Sequence, residues 1–451
     1  MYLQHHRGLL FRSFGLCRHS HGFQTMHLPA AGSRLPRWTD LILIIATAIL
    51  AACDSSTGTG IDDPEPAIAF QRILVADAVA PNARLFSLHN DSLLQTFTLE
   101  EASTRVYRSG SGRFAAVQQR NVGRVHFVDG GVWQDGQMAR RRNAGVLGFH
   151  LADGRPSDEN VLGEWVSIFF DTSGIIRWLR ESELAGSTPR AALEVNSGRP
   201  HHGVSMTVMS GATPFFVHSV ANDAGSPTGV AVRNQQGQIV AQVPVGECPG
   251  THGSSANAAG GVMGCNNGMV IVRPSGASVL AEKVTLGGEM AGLALRNATS
   301  AMEASFILGQ FAGFPGQPAQ RVLATINPAN GVVNRLPPLP AGVVDHWRAV
   351  EPVSSQIVLL GNNGTLYIYN GTTRQLQHAV AGVVPAVTAG VATHQVAVVE
   401  GIAAVASPTT GEVVLVNLTT GSITRRINVG GSPSRLAILG IQRSGQFVPA
   451  R

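Results

Sequence analysis

The sequence predicts an all-β chain folded as a β-propeller, on three observations. Units of strand, tight turn and strand recur along the chain, about eight of them at intervals of roughly 40 to 50 residues, which is the spacing of propeller blades. Long amphipathic helical windows are missing, and with them the strand–helix alternation of an α/β fold. The composition agrees: of 451 residues 52 are Gly and 24 Pro, 44% are hydrophobic and 14% charged, too apolar and too strand-patterned for a disordered chain. A chain of this length holds one core most easily when it is built radially, as a ring of repeated sheets is.

The units can be followed in order. ARLFSLHNDSLLQTFTL ends at Leu99, GRVHFVDGG spans 123–131, SIFFDTSGIIRWLRE covers 167–181, and TGVAVRNQQGQIVAQVPV runs over 228–245. GMVIVRPSGASVLAEKVTL occupies 268–286, RVLATINPANGVVNRLPPL starts at Arg321 and GTLYIYNGTTRQLQHAV at Gly364. The clearest unit lies in 403–440, where the β-branched run 413–416, a turn at Thr419, Thr420 and Gly421, and the alternating return 423–429 make strand, turn and strand. Gly430, Gly431 and Pro433 then break the pattern, and 435–439 starts a further strand. It is expected to pair with 73–76 and close the ring without a free edge. Segment 289–316 is irregular; if it is an insertion, the count is seven blades rather than eight. The propeller is assigned to 70–441, with a tail over 442–451.

Ahead of the ring, residues 41–52 (LILIIATAILAA) form an apolar run of about a dozen, short for a membrane span and suited to a signal-peptide core. Arg34 and Arg37 precede it. The run ends Leu50-Ala51-Ala52-Cys53, which resembles the lipobox of bacterial lipoproteins, a small-residue cleavage site before a lipidated cysteine. On that reading Cys53 carries two or three acyl chains, enough for stable anchoring. The alternative is an ordinary secretory signal with a chance cysteine after it. Residues 1–25 hold four His, one Cys and three Arg without pattern, and Met26 stands where a normal leader would begin. We therefore assign 1–52 as leader, with 26–52 as the signal peptide and 1–25 as an over-extended reading frame. Asp54 resembles an inner-membrane retention signal, a rule that varies between bacteria, so the choice of membrane stays open. Residues 53–69 read as a lipid-anchored, flexible tether.

The formal charge of +5, with a pI of about 9.4, raises the question of a nucleic-acid partner. Five arginines in residues 1–52 against Asp40 place about +4 in the leader, so only about +1 remains on the mature chain. No nucleic acid is implied. Of four cysteines, Cys17 and Cys53 belong to leader and anchor. Cys248 and Cys265, in an exported chain, are expected to pair; the alternative is a Cys/His metal site that includes His252.

No H-E-x-x-H, C-x-x-C, P-loop, G-x-S-x-G or helix-opening G-x-G-x-x-G is present. Most histidines read as solvated turn residues. Two blocks stand apart: RPHHGV over 199–204, with its His201-His202 pair just before a strand, and ECPGTHG over 247–253, one unit later at a comparable place. Propeller strands converge on a central channel, so imidazoles from successive blades can meet there.

At this point RILVADAVAPNARLFSL, VYRSGSGRFAAVQQ with GRVHFVD, RPHHGV, ECPGTHG with MGCNNGMVIV, and SPTTGEVVLVNLTTGSITRRINVGGSPSRLAI together resemble the AztD-type periplasmic zinc metallochaperones. That resemblance spans nearly all of residues 70–440, and the spacing of His201-His202, Cys248, His252 and Cys265 is its most specific part. It implies a propeller with a central zinc site, the Cys248–Cys265 disulfide, and delivery of zinc to the solute-binding protein of an ABC importer. The chain departs from the family pattern in three places. There is no His-rich stretch at 133–138, Arg155-Pro156 is followed by Ser157 and Asp158 rather than histidine, and Ser254 replaces a Glu after His252-Gly253.

The expectation is a lipid-anchored, periplasm-facing propeller of the bacterial envelope that binds or hands over a divalent metal, zinc first, through His201, His202 and His252 with Asp158 as fourth ligand. The competing class is a non-catalytic envelope scaffold that has lost the metal site and meets another envelope protein. An enzyme is disfavoured, because the Trp/Gly docking repeat of quinoproteins is missing and the acidic residues are too scattered to suggest a calcium ring.

Overall fold

The computed structural model describes residues 65–449 except 137, 187–188, 314–320, 389, 391 and 443–445. Cys53, the leader and the tether up to residue 64 lie outside the described residues. Among the described residues no helix is long and apolar enough to cross a membrane.

Eight four-stranded antiparallel sheets succeed one another as the blades of a propeller. Blade 1 is built from both ends of the ring: Pro433–Gly440 takes the innermost place and pairs with Gln71–Asp77, followed outward by Asn82–Ser87 and Leu93–Thr98. The register Ile73↔Ile438, Leu74↔Ala437, Val75↔Leu436 and Ala76↔Arg435 is the closure expected from the sequence. Blades 2 to 8 begin with inner strands Arg105–Arg108, Pro156–Leu162, Ser205–Ser210, His252–Asn257, Leu293–Thr299, Asp345–Val350 and Val396–Val399. Segment 289–316 is no insertion. Leu293–Thr299 and Ile307–Gly313 are the first two strands of blade 6, and a bulge at Arg296 breaks the alternation that would have revealed them. The ring therefore has eight blades, not seven.

Blade 2 carries an extra hairpin, Val132–Asp135 with Met138–Arg141, between its third strand and its outer strand Gly145–Leu151. This hairpin joins Gln446–Pro449 and Glu65–Pro66 in a small ninth sheet, so residues on both flanks of the ring contribute strands.

Each interface between neighbouring blades holds one apolar cluster. Strand Trp165–Phe170 shows how the sequence builds two of them. Val166, Ile168 and Phe170 pack toward blade 2, while Trp165 and Phe169 pack toward blade 4. Such a strand is buried on both faces and reads as a continuous apolar run, although its side chains still alternate. Outer strands are different: Leu93–Thr98 buries only Phe97.

Candidate metal centre

The inner strands of blades 2 to 6 surround a cavity of about 310 Å³ in the axial channel, with Asp158, His202 and His252 in its wall. Bulges at the starts of these strands aim the side chains. In blade 5 His252 pairs with Gly264 and Ser254 with Met263, so Gly253 is the extra residue, at φ 61°. In blade 3 the register jumps between Pro156 and Asp158, and in blade 6 between Leu295 and Asn297. A bulged residue is left out of the ladder. The carbonyl of bulged Arg296 is consequently available to accept a hydrogen bond from His252 Nδ1, at 2.7 Å.

His202 and His252 meet, with ring centroids 5.3 Å apart. His202 Nδ1 lies 3.1 and 3.2 Å from the two carboxylate oxygens of Asp171, which Arg120 also binds at 2.6 Å. An Nδ1 that faces an acceptor carries the proton, which fixes the tautomer and leaves the lone pair of each ring on Nε2. No hydrogen bond among the described residues engages either Nε2. Asp158 accepts the backbone N–H of Ser205 at 3.0 Å and the hydroxyl of Ser254 at 3.2 Å, both on Oδ2. Asn160 donates to Ser254 Oγ at 2.9 Å and to the Ser205 carbonyl at 3.0 Å, tying blades 3, 4 and 5 together beside the cavity. The three side chains border one space without closing into a cage. Among the described residues no group of three or more His, Cys, Asp or Glu is gathered tightly enough to hold a metal ion.

His201 goes elsewhere. Its Nδ1 donates to the Arg199 carbonyl at 2.8 Å, its Nε2 accepts from Ser219 Oγ at 3.1 Å, and its ring stands edge-on to Phe169 at 4.9 Å. Its lone pair is spent inside the protein. Neighbouring residues of an extended segment point to opposite sides, so a His-His pair delivers one imidazole to the channel and one to the wall. Gly203 follows because a Cβ there would lie 2.2 Å from the Phe169 ring. Cys248 and Cys265 are bonded. With the Thr251 hydroxyl donating to the Cys248 carbonyl at 2.8 Å and Asn266 N–H to the Pro249 carbonyl at 2.7 Å, the disulfide holds the loop that delivers His252. Asp171 and the Arg296 carbonyl had no sequence signal: one lies at the end of a middle strand, the other is backbone.

Burial sets the electrostatics. It lowers His252, against the hydrogen bond to the Arg296 carbonyl and the charge of Asp158 and with the help of nearby His202, a direction that favours the neutral ring a metal needs. Burial pushes the Asp158 carboxyl up, partly offset by the Ser205 N–H, by Arg105 and by Ser254. Glu159 is raised well above the usual range by burial, against a bond from Gln118 and the charge of Arg105. Burial pushes the Tyr107 phenol up to about 12 although Arg105 donates to its oxygen at 2.7 Å. For Asp171 burial alone would raise the carboxyl, but hydrogen bonds from His202, Ser157 and Arg120 bring it below the ordinary range. Beyond Arg108, which lines both spaces, a larger cavity of about 1060 Å³ lies beside the extra hairpin, with Trp133 in its wall.

No protein-family model matches the chain, and no curated protein sequence matches it. Among solved structures it is similar to apo AztD from Citrobacter koseri, with a TM-score of 0.72 and 19% identity over 84% of this chain and 99% of that one. A second AztD structure from the same organism gives 0.71 and 19% over 83% and 98%. Dihydro-heme d1 dehydrogenase NirN, solved in complex with DHE, is more distant, at 0.50 and 11% over 85% and 78%. Since an enzyme shares the architecture, the fold by itself assigns no chemistry. What these likenesses establish is the fold: the chain is an eight-bladed β-propeller built like AztD.

Proposed function

We propose that this protein takes up a divalent metal ion of the zinc class at the mouth of its axial channel and hands it on. One observation carries the reading: imidazoles from consecutive blades, His202 and His252, stand side by side with both Nδ1 protons already committed, presenting two Nε2 lone pairs to a space that Asp158 also borders. Two imidazole nitrogens and a carboxylate oxygen are a donor set of open zinc sites, in which a fourth position stays exchangeable. An exchangeable position suits a carrier, because an acceptor protein can enter the coordination sphere before the donor lets go. Asp171 and Arg120 hold the His202 ring, and the Arg296 carbonyl holds that of His252, so binding costs little rearrangement of these rings. His201 is assigned a supporting role in the wall.

The stretch Leu50-Ala51-Ala52-Cys53 supports export and lipid anchoring at Cys53, and the family resemblance supports a zinc-binding protein of an ABC importer as recipient. Competition of the purified chain with a chromophoric chelator for Zn²⁺ tests the site. His202→Ala and His252→Ala should each weaken uptake by at least about 10-fold, the scale on which metal sites respond even to loss of outer-shell partners, while His378→Ala should not. Unchanged affinity in both channel variants would overturn the assignment. Partition of Cys53→Ser into the aqueous phase of a detergent separation, against the detergent phase for the parent, tests the anchor; identical partition refutes it.

A further inference from the structure

A second pair of histidines lies on blade 2, away from the channel. His126 in the strand Arg124–Asp129 and His150 in the outer strand Gly145–Leu151 are direct cross-strand partners, and their ring centroids are 5.1 Å apart. The face follows from the alternation of the strand. Val125 and Phe127 pack in the cluster toward blade 3, Val128 in the cluster toward blade 1, so His126 shares the face of Val128. Glu100, in the connection from blade 1 to blade 2, reaches that face with Oε1 3.6 Å from His126 Nε2, beyond hydrogen-bonding distance. His126 Nε2 is out of contact with solvent and makes no hydrogen bond. A ring nitrogen shielded from solvent whose nearest acceptor, Glu100, stands 3.6 Å away is poorly satisfied, and two imidazoles set opposite each other gain nothing as an ion pair. A shared cation would remove both difficulties.

We infer that His126, His150 and Glu100, which do not stand gathered around an ion as they are, close into a second divalent transition-metal site when one is supplied, on the face of blade 2 that the connection from blade 1 crosses. Two nitrogens and one carboxylate oxygen suit Zn²⁺ or Ni²⁺, with remaining positions left to water. His150 is exposed and Glu100 largely so, so both can turn toward an ion beside the more buried His126. Glu100 now pairs with Arg124, an exposed contact of the kind worth little and readily given up. The site is independent of the channel, since none of its residues lines the cavity that holds His202 and His252.

Zn²⁺ titration of the untagged mature chain, without its leader, against an indicator, in four versions, tests this inference: the parent, His150→Ala, the double variant His202→Ala/His252→Ala, and the triple. The double variant should keep one equivalent of micromolar strength, and the triple should lose it by 10-fold or more. His150→Ala alone should remove one of two equivalents from the parent. If the double variant binds no ion, or binds it as tightly after His150→Ala, the inference is overturned. Failure of the channel reading looks different: the double variant would then match the parent. Because His150 is exposed, thermal unfolding should stay unchanged in His150→Ala, so lost binding reports the site rather than the fold.

Discussion

At the scale of single residues, the channel depends on what holds each imidazole as much as on the imidazole itself. Asp171 accepts the His202 Nδ1 proton while Arg120 anchors the carboxylate. Asp171→Asn keeps the shape but weakens the acceptor, so the ring loses its fixed tautomer and orientation. Zn²⁺ affinity should fall by about 10- to 100-fold with stoichiometry retained, the usual effect of removing an orienting carboxylate; titration of the purified variant measures it, and an unchanged constant would mean His202 is held by other contacts. The histidine blocks were visible in the sequence because the residue type is rare and chemically pointed. The difference between His201 and His202 was not, because strand phase near an irregular segment cannot be read to a single residue.

At the scale of elements, the bulge that opens blade 5 connects fold to site. Gly253 has φ 61°, and a Cβ there would lie 2.6 Å from the Arg296 carbonyl oxygen that receives the His252 proton. Gly253→Ala should therefore destabilise by about 2 to 4 kcal/mol, from left-handed strain added to a backbone clash, and should weaken Zn²⁺ binding as His252 turns away. Thermal unfolding and the same titration together check both halves. An alanine variant with parent stability would show that blade 6 gives way without cost. Strand–turn–strand units were legible because period two survives in the outer halves of the blades. The inner strands were harder to see: bulges at residues 157, 253, 296 and 346 interrupt their alternation, the first three beside the cavity.

At the scale of the whole molecule, stability is shared around a closed ring, and buried neutral histidines make it sensitive to acid. His218 in blade 4 donates from Nδ1 to the Ser219 carbonyl at 2.9 Å and accepts the Arg233 Nε–H at 3.0 Å on Nε2. Burial first, then Arg233 and His201, lower its pKa from 6.5 to about 4. The unfolded chain takes up this proton near pH 6.5 while the folded chain resists until about pH 4. Between those values the unfolded state binds more protons, so stability falls as the pH falls and levels off below about 4. The loss from this one residue is on the order of 3 kcal/mol across the window. Unfolding midpoints in denaturant at pH 7.5 and pH 5 should differ in that direction, and His218→Gln should flatten the dependence; an equal slope in the variant would assign the effect to other groups. Ring closure makes the loss global, because Pro433–Gly440 completes blade 1 from the far end of the chain and no blade is free to unfold as an end unit.

The class of fold, the strand pair that closes the ring and the Cys248–Cys265 bond, expected over a Cys/His metal site, are found as the chain's pattern led one to expect, because they follow from local periodicity, turn chemistry and the rarity of cysteine. The sequence also singled out His202, His252 and Asp158, which the structure sets around one cavity. The choice of eight blades over seven, the placing of His201 in the wall, and the orientation of the two channel imidazoles by Asp171 and a backbone carbonyl of blade 6 emerge only from the folded ring. The reasons differ: a bulge at Arg296 hid the first strand of blade 6, strand phase hid which histidine of the pair turns to the wall, and the orienting partners are a matter of ring curvature. Hydrogen-bond partners from different blades are brought together by the curvature of the ring, and no pattern within one strand records what stands across an axial channel.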